Sequence, residues 1–267
     1  MDLGLEGKRA LITGSSSGIG VGIARCLAGE GVRVVIHGRD VARAEAVAAD
    51  IRNAGGEAAV ACGDLSEDAG ADAAASAALA AFGGIDILVN NAGGSTRGKI
   101  GSLDSGYWLD SYNANLVSAV RMIDRLHGAM VERKWGRIVQ ISSLAGVQNG
   151  GRSGPYAVAK AALNSMALGL SKTLAFTGVT VNTVTPGMIE TSMLDSYFLG
   201  IGNQMGWGDD RARSVDYVLK NLHKQSVAQL GQPEDIGFVV AMLCSPRSDY
   251  INGAVFRIDG GTAASVY

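Results

Sequence analysis

Surplus positive charge is the first thing this sequence lacks. Its 23 Lys and Arg stand against 25 Asp and Glu, a formal charge of -2, whereas nucleic-acid binding draws on an excess of surface cations. A small, neutral or weakly charged partner is expected instead. Cysteine is scarce too. Cys26, Cys62 and Cys244 are odd in number, far apart and set among apolar residues, which argues against a disulfide framework or a zinc site and leaves no metal expected. No stretch reaches the about 18 consecutive apolar residues of a membrane span. The start, MDLGLEGKRALITG, has neither the basic opening nor the long apolar segment of a signal peptide. The expectation is a soluble cytoplasmic protein without a membrane partner.

Proline is as rare as glycine is common, 4 against 38, with 47% hydrophobic and 18% charged residues over 267 positions. That balance suits one α/β domain with many tight strand-to-helix turns, and no segment has linker composition. Apolar runs at Arg9–Thr13, Val32–Ile36, Ala58–Cys62, Ile85–Val89 and Arg137–Ile141 read as strands. Helical patterns follow between them, including Val41–Asn53 and a stretch through Ala73 to Phe82. Such alternation specifies a doubly wound parallel sheet whose ligands gather at the carboxyl ends of the strands. The last strand is expected within Tyr250–Gly261.

The first of those ends runs into Gly14, Gly18 and Gly20 in a G-x-x-x-G-x-G spacing, followed by helical Val21, Ile23, Ala24 and Leu27. Strand, glycine loop and helix is the order that lets backbone approach a pyrophosphate and offers it the positive end of a helix dipole. The spacing differs from G-x-G-x-x-G, and a glycine loop without that flanking order would be only a turn. The second strand leads into His37, Gly38, Arg39 and Asp40, where an adenosine ribose would be read. The guanidinium of Arg39 suits a 2′-phosphate and favours NADP(H); a one-residue shift would put Asp40 on a 2′-hydroxyl and make NAD(H) the cofactor. His37 reads as a satisfied strand-end histidine. Asp64, after the third strand, can bond an adenine amino group or, like Ser66, cap the following helix.

The run from Ser142 to Lys160 carries the chemistry. Tyr156 and Lys160 are four apart, on one face of a helix begun at Pro155. A lysine ammonium beside a phenol favours the phenolate and pulls its pKa down, making Tyr156 a usable acid-base group. Ser143, with Ser142 as rival, follows a buried strand and can hold a carbonyl oxygen. Asn115 sits in the helix carrying Leu116, Ala119, Ile123 and Leu126. It is either structural or bonded to a water in a proton path.

Together, T-G-S-S-S-G-I-G at Thr13 to Gly20, N-N-A-G at Asn90 to Gly93, Asn115, Ser143, Y-A-V-A-K at Tyr156 to Lys160, and Pro186-Gly187 resemble the short-chain dehydrogenase/reductase family over nearly the whole chain. The resemblance implies a single Rossmann-like domain and a ketone–alcohol interconversion by hydride transfer. Tyr156 would be acid or base, Ser143 would hold the oxygen, Lys160 would bond the nicotinamide ribose and lower the tyrosine pKa, and Asn115 would bind the relay water. It implies cofactor contacts from Gly14, Ser16, Ser17, Gly18, Ile19, Gly20, Arg39, Asp64, Leu65, Asn91, Ala92, Gly93, Tyr156, Lys160, Pro186, Gly187, Ile189 and Thr191. It also implies a homotetramer packed through two long helices and the last strand.

Two positions depart from relatives. Ser17 stands where NADP-using members often have a basic residue, and Thr177 where some 3-oxoacyl-carrier-protein reductases, the nearest general resemblance, have arginine, although Arg133 and Lys134 could belong to a docking patch. Residues 188–230 form a longer insertion than usual, with an apolar run at Met193, Leu194, Tyr197, Phe198, Leu199, Ile201, Met205 and Trp207. It is expected to be a helical lid over a bulky apolar carbonyl or 3-oxoacyl substrate, the alternative being subunit contact or extra core. The leading expectation is an NADPH-dependent reductase. An NAD-dependent secondary alcohol dehydrogenase and a non-catalytic dinucleotide-binding regulator are the alternatives, the regulator having no need of Asn115, Ser143, Tyr156 and Lys160 together.

Overall fold

The computed structural model describes residues 2–94, 98–151 and 153–264. Seven strands, β1 (Arg9–Ile12), β2 (Arg33–Gly38), β3 (Ala58–Cys62), β4 (Ile87–Asn90), β5 (Gly136–Ile141), β6 (Val179–Pro186) and β7 (Val255–Ile258), form one parallel sheet in the order β3-β2-β1-β4-β5-β6-β7. The order reverses between β1 and β4. A crevice opens at the carboxyl ends there, which is where such sheets bind ligands.

The strands are apolar on both sides because helices cover both faces. Alternate residues divide between two cores. Ile12, Ile36, Val89 and Val184 pack beneath α1 (Ile19–Gly29) and α9 (Pro233–Cys244), while Leu11, Val35, Leu88 and Val181 pack beneath α3 (Asp68–Phe82), α5 (Ser118–Glu132) and α6 (Gly154–Thr173). Helices α1 and α9 touch almost backbone to backbone. A Cβ on Gly22 would lie 2.4 Å from the Pro233 carbonyl carbon.

The α2 helix (Val41–Asn53) has the expected bounds. Neither Asp64 nor Ser66 caps α3, whose N-cap is Glu67, without a side-chain bond. Asp64 instead accepts from the Ser66 amide at 3.0 Å and hydroxyl at 2.7 Å, closing a tight turn. The expected helix around Asn115 is interrupted: α4 (Ser105–Tyr112) passes through a π-helical turn at Asn113–Val117 before α5. The last strand is also shorter than expected. Before Val255 the main-chain bonds to β6 alternate with side-chain ones, Asn252 Oδ1 accepting from the Val181 amide at 2.8 Å and Asn182 Oδ1 from the Ala254 amide at 3.0 Å.

Residues 188–230 contain α7 (Met193–Gln204), α8 (Arg211–Tyr217) and a π-helical turn at Val218–Leu222. They build a small core of their own. Phe198, Val218, Leu219 and Leu230 are buried at its centre, with Leu194, Tyr197 and Ile201 packed around them. Much of the apolar run therefore closes on itself, the extra-core alternative, while Met193, Leu199 and Met205 stay exposed.

Candidate active site

The glycine loop is built around two left-handed turns, Gly14 at φ 64° and Gly18 at φ 58°. A Cβ on Gly14 would also sit 2.8 Å from Ala92 Cα, so no other residue fits there. Sequence reasoning missed the clamp that sets this approach. Thr13 Oγ1 accepts from the Asn91 amide at 3.0 Å and the Ala92 amide at 2.9 Å, while Asn91 Nδ2 donates to the carbonyls of Thr13 and Gly14. A hydroxyl residue at the end of a strand, directly before the first glycine, was the available signal. The Asn91 side chain thus belongs to the scaffold, while Ala92 packs against the core and Gly93 is exposed at the strand end.

His37 completes the support. It is buried, its Nδ1 accepts from the Gly14 amide at 3.1 Å, and its Nε2 lies 3.2 Å from the Gly63 carbonyl. An accepting Nδ1 and a donating Nε2 define a neutral ring. Desolvation holds its pKa down at about 4.

Gly18 opens α1 without a side-chain cap, and the first turn contains no acidic residue. Free amides of Ile19 and Gly20 and the positive dipole end are left for an anion. Ser16 lies over the end of β2, its Oγ 2.5 Å from where a Cβ on Gly38 would be, and Ser17 is exposed. Beyond Pro186 and Gly187, Ile189 bridges to Gly231 and brings Thr191 to the loop, its Cγ2 3.4 Å from a Cβ position on Gly18.

At the adenosine end the structure separates the two candidate readers. Asp40 is the N-cap of α2 and accepts from the Arg43 amide at 3.1 Å, whereas Arg39 is 80% exposed with its Nη1 3.8 Å from Asp64 Oδ2. The guanidinium is available and the Asp40 carboxylate is committed. Leu65 is buried in the core beside them.

The carboxyl ends of β4 and β5 hold the catalytic candidates. Ser143 follows β5 and caps a short 3-10 turn at Leu144–Gly146, its Oγ accepting from the Ala145 amide at 3.2 Å, which leaves its proton for the Tyr156 phenol. Its rival Ser142 is buried and donates to the Lys160 backbone carbonyl at 3.0 Å, which ties β5 to α6. The fold therefore turns Ser143, not Ser142, towards Tyr156. Lys160 is buried, with Nζ donating to the Ile141 carbonyl at 2.9 Å and lying 5.8 Å from the centre of the Tyr156 ring.

The electrostatics differ from expectation. Burial raises the Tyr156 pKa above its ordinary value, and the Ser143 hydroxyl pulls it back down in part, while Lys160 Nζ is turned onto the Ile141 carbonyl. The lysine itself is pushed down to about 8 by desolvation. In this state burial, not pairing, governs both groups.

Asn115 has the structural role that was one of its two expected alternatives. Its Oδ1 accepts from the Gly94 amide at 3.1 Å, and its Nδ2 donates to the carbonyls of Gly94 and Ser111, both at 3.0 Å. Both amide protons are used, so the side chain holds the loop after β4. The π-turn is what aims it there, and such turns recur at functional positions. Gly93 fits between the elements: a Cβ there would be 2.6 Å from Asn115 Oδ1 and 3.4 Å from Lys160 Nζ. Three separate segments thus converge within one side-chain length.

The family profile described as short chain dehydrogenase matches residues 8–200. This chain belongs to the short-chain dehydrogenase family. As a member it is an oxidoreductase, and its sheet is the Rossmann-like sheet of that family. It is 34% identical to a hydroxy(phenyl)methylsuccinyl-CoA dehydrogenase subunit of Thauera aromatica over 97% of this chain and 98% of the relative. It is 33% identical to a 3-oxoacyl-(acyl-carrier-protein) reductase of Escherichia coli over the same shares. Among solved structures, L-sorbose reductase of Gluconobacter frateurii, complexed with NADPH and L-sorbose, superposes with a TM-score of 0.94 at 31% identity, each chain fully covered. Among the described residues, no helix of this dehydrogenase is long and apolar enough to cross a membrane.

Proposed function

We propose that this short-chain dehydrogenase is an NADP(H)-dependent reductase that converts a ketone to a secondary alcohol, with Tyr156 as proton donor. The observation that carries the reading is the convergence of Ser143, Tyr156 and Lys160 beside a glycine cradle that admits no Cβ at Gly14. The uncapped start of α1 fits a pyrophosphate, and the exposed Arg39 fits a 2′-phosphate. The NADPH complex of the Gluconobacter frateurii reductase supports the same choice. A bound nicotinamide supplies the hydride for the carbonyl carbon.

The protein supplies position and a proton. Ser143, whose hydroxyl is bonded to the Tyr156 phenol in the ligand-free site, would turn that proton to the carbonyl oxygen as a hydrogen bond and fix its direction. Tyr156 transfers its phenolic proton to that same oxygen as negative charge develops. The phenolate left behind is favoured by the Lys160 ammonium, buried 5.8 Å from the ring centre. Asn115 is a positioning residue: it holds Gly94 and so the wall opposite α6. The reverse oxidation uses the same groups, with the phenolate as base.

The finer substrate reading is a bulky apolar or 3-oxoacyl carbonyl. Exposed Met193 and Leu199 on α7 support it, and the named relatives act on acyl thioesters as well as a sugar. A homotetramer is part of the same proposal, supported by exposed Leu109 on α4, Leu168 on α6 and Val255 on β7; a monomeric mass by light scattering would overturn it. The activity is tested by nicotinamide absorbance with NADPH and NADH against apolar ketones, acetoacetyl thioesters and ketoses. Tyr156→Phe should lose about a hundredfold or more in turnover while cofactor binding stays intact. Retained turnover would remove Tyr156 from the mechanism.

A further inference from the structure

The adenosine end of the crevice carries a charge arrangement that the reductase reading does not use. Strands β2 and β3 are neighbours in register, Gly38 beside Cys62, and each delivers one charged side chain just past its end, Arg39 and Asp64. Among the described residues, Asp64 is the sole carboxylate within 4 Å of Arg39. The separation of 3.8 Å is an ion pair without a hydrogen bond, so all the guanidinium donors stay open to a ligand.

Asp64 cannot readily turn away. Its Oδ1 is held by both the amide and the hydroxyl of Ser66, which leaves Oδ2 directed at Arg39. Those bonds, with the nearby guanidinium, hold its pKa below the ordinary carboxylate value and keep it ionised at neutral pH. Asp40, the other local carboxylate, is occupied at the start of α2. Ser17 offers no second cation.

We propose that Asp64 is a specificity-determining residue that lowers the preference for NADP(H) by competing with the 2′-phosphate for Arg39. The inference rests on the reading of Arg39 as the phosphate reader. A phosphate held on that guanidinium carries close to two negative charges and lies a few ångströms from a fixed carboxylate. The unphosphorylated 2′-hydroxyl suffers no such repulsion and can donate to the same oxygen. The pair therefore works as a brake that keeps NAD(H) usable beside NADP(H).

The test is titration calorimetry of the full chain with NADPH and with NADH, for the parent protein, Asp64→Asn and Arg39→Ala, at low and high salt. Asparagine keeps an acceptor for Ser66 and removes only the charge. At these separations near a surface, with partial screening, the NADPH-to-NADH affinity ratio should rise about five- to tenfold in Asp64→Asn, and less at high salt. A bond from Asp64 to the adenine would be lost for both cofactors and leave the ratio alone. An unchanged or lower ratio in Asp64→Asn, together with a collapsed ratio in Arg39→Ala, would overturn the brake while keeping Arg39 as the reader. An unchanged ratio in Arg39→Ala would overturn the reading of Arg39 and the brake with it.

Discussion

Replacing Lys160 by methionine should make the ligand-free protein more stable at neutral pH while destroying its activity. The ammonium is buried and its pKa falls from 10.5 to about 8 on folding. At about 1.4 kcal/mol per pH unit, the buried charge costs the folded state about 3 kcal/mol below pH 8. Methionine fills similar space without charge but leaves the Ile141 carbonyl without its donor, a loss of about 1 kcal/mol. The net gain is about 2 kcal/mol.

The pH dependence carries the stronger signature. Below pH 8 folded and unfolded lysine are both protonated and the penalty is constant. Between about 8 and 10.5 the folded chain releases its proton first, so the unfolded chain binds more protons and the parent protein gains on the variant as pH rises. Cysteines act oppositely: the thiol of Cys244, buried and pushed up to about 12 from 9.0, makes stability fall as pH climbs through that range. Only the difference between parent and variant isolates Lys160. Urea unfolding of both proteins across pH 7 to 10.5 is the assay, and a difference that does not change with pH would refute the reasoning.

Two other expectations concern the scaffold. His37, neutral in the fold with a pKa held down at about 4, binds a proton more readily when unfolded, so stability should fall by up to about 3 kcal/mol as pH drops from 6.5 to 4. Acid titration of the urea midpoint from pH 6.5 to about 5, before most carboxylates protonate, would show the first half of this loss, and a flat profile there would exclude it. Phe176 is fully exposed at φ 63°, a left-handed conformation that costs a residue with a Cβ. Phe176→Gly should therefore raise stability by about 0.5 to 1 kcal/mol, and a lowered urea midpoint would show that the ring has a packing role.

What was legible in the sequence follows from which signals are local. Glycine at positions 14 and 18 announces left-handed backbone, and the structure has it at both. Tyr156 and Lys160 four apart need only a helix to share a face, and α6 provides one. The choice between Arg39 and Asp40 depends on where α2 starts. A one-residue shift reverses it, and pattern alone does not fix helix starts so finely. The two readings of Asn115 could not be separated in the sequence because a π-turn changes which way a helical side chain points while leaving the apolar periodicity almost intact. The apolar run in residues 193–207 was ambiguous for another reason: its partners Val218, Leu219 and Leu230 come later in the chain, and nothing within the run distinguishes a ligand pocket from a private core.

The site's polar groups are held mainly by backbone, and this bears on how it can work. Lys160 rests on the Ile141 carbonyl, Ser142 on the Lys160 carbonyl, Asn115 on both backbone groups of Gly94, and Thr13 on two successive amides. Side chains anchored to main chain at strand ends have their positions set by the fold before any ligand arrives, which favours a geometry assembled in advance. Ionisation is not. With burial raising the phenol and lowering the amine, neutral tyrosine is the resting form and the proton is in place for carbonyl reduction. Alcohol oxidation asks for the phenolate, which must be drawn out against burial by the ammonium 5.8 Å from the ring centre. On the proposed role of Tyr156, this ligand-free arrangement favours reduction, and oxidation would require the lysine's field to reach the phenol more strongly than it does when Nζ is turned to Ile141.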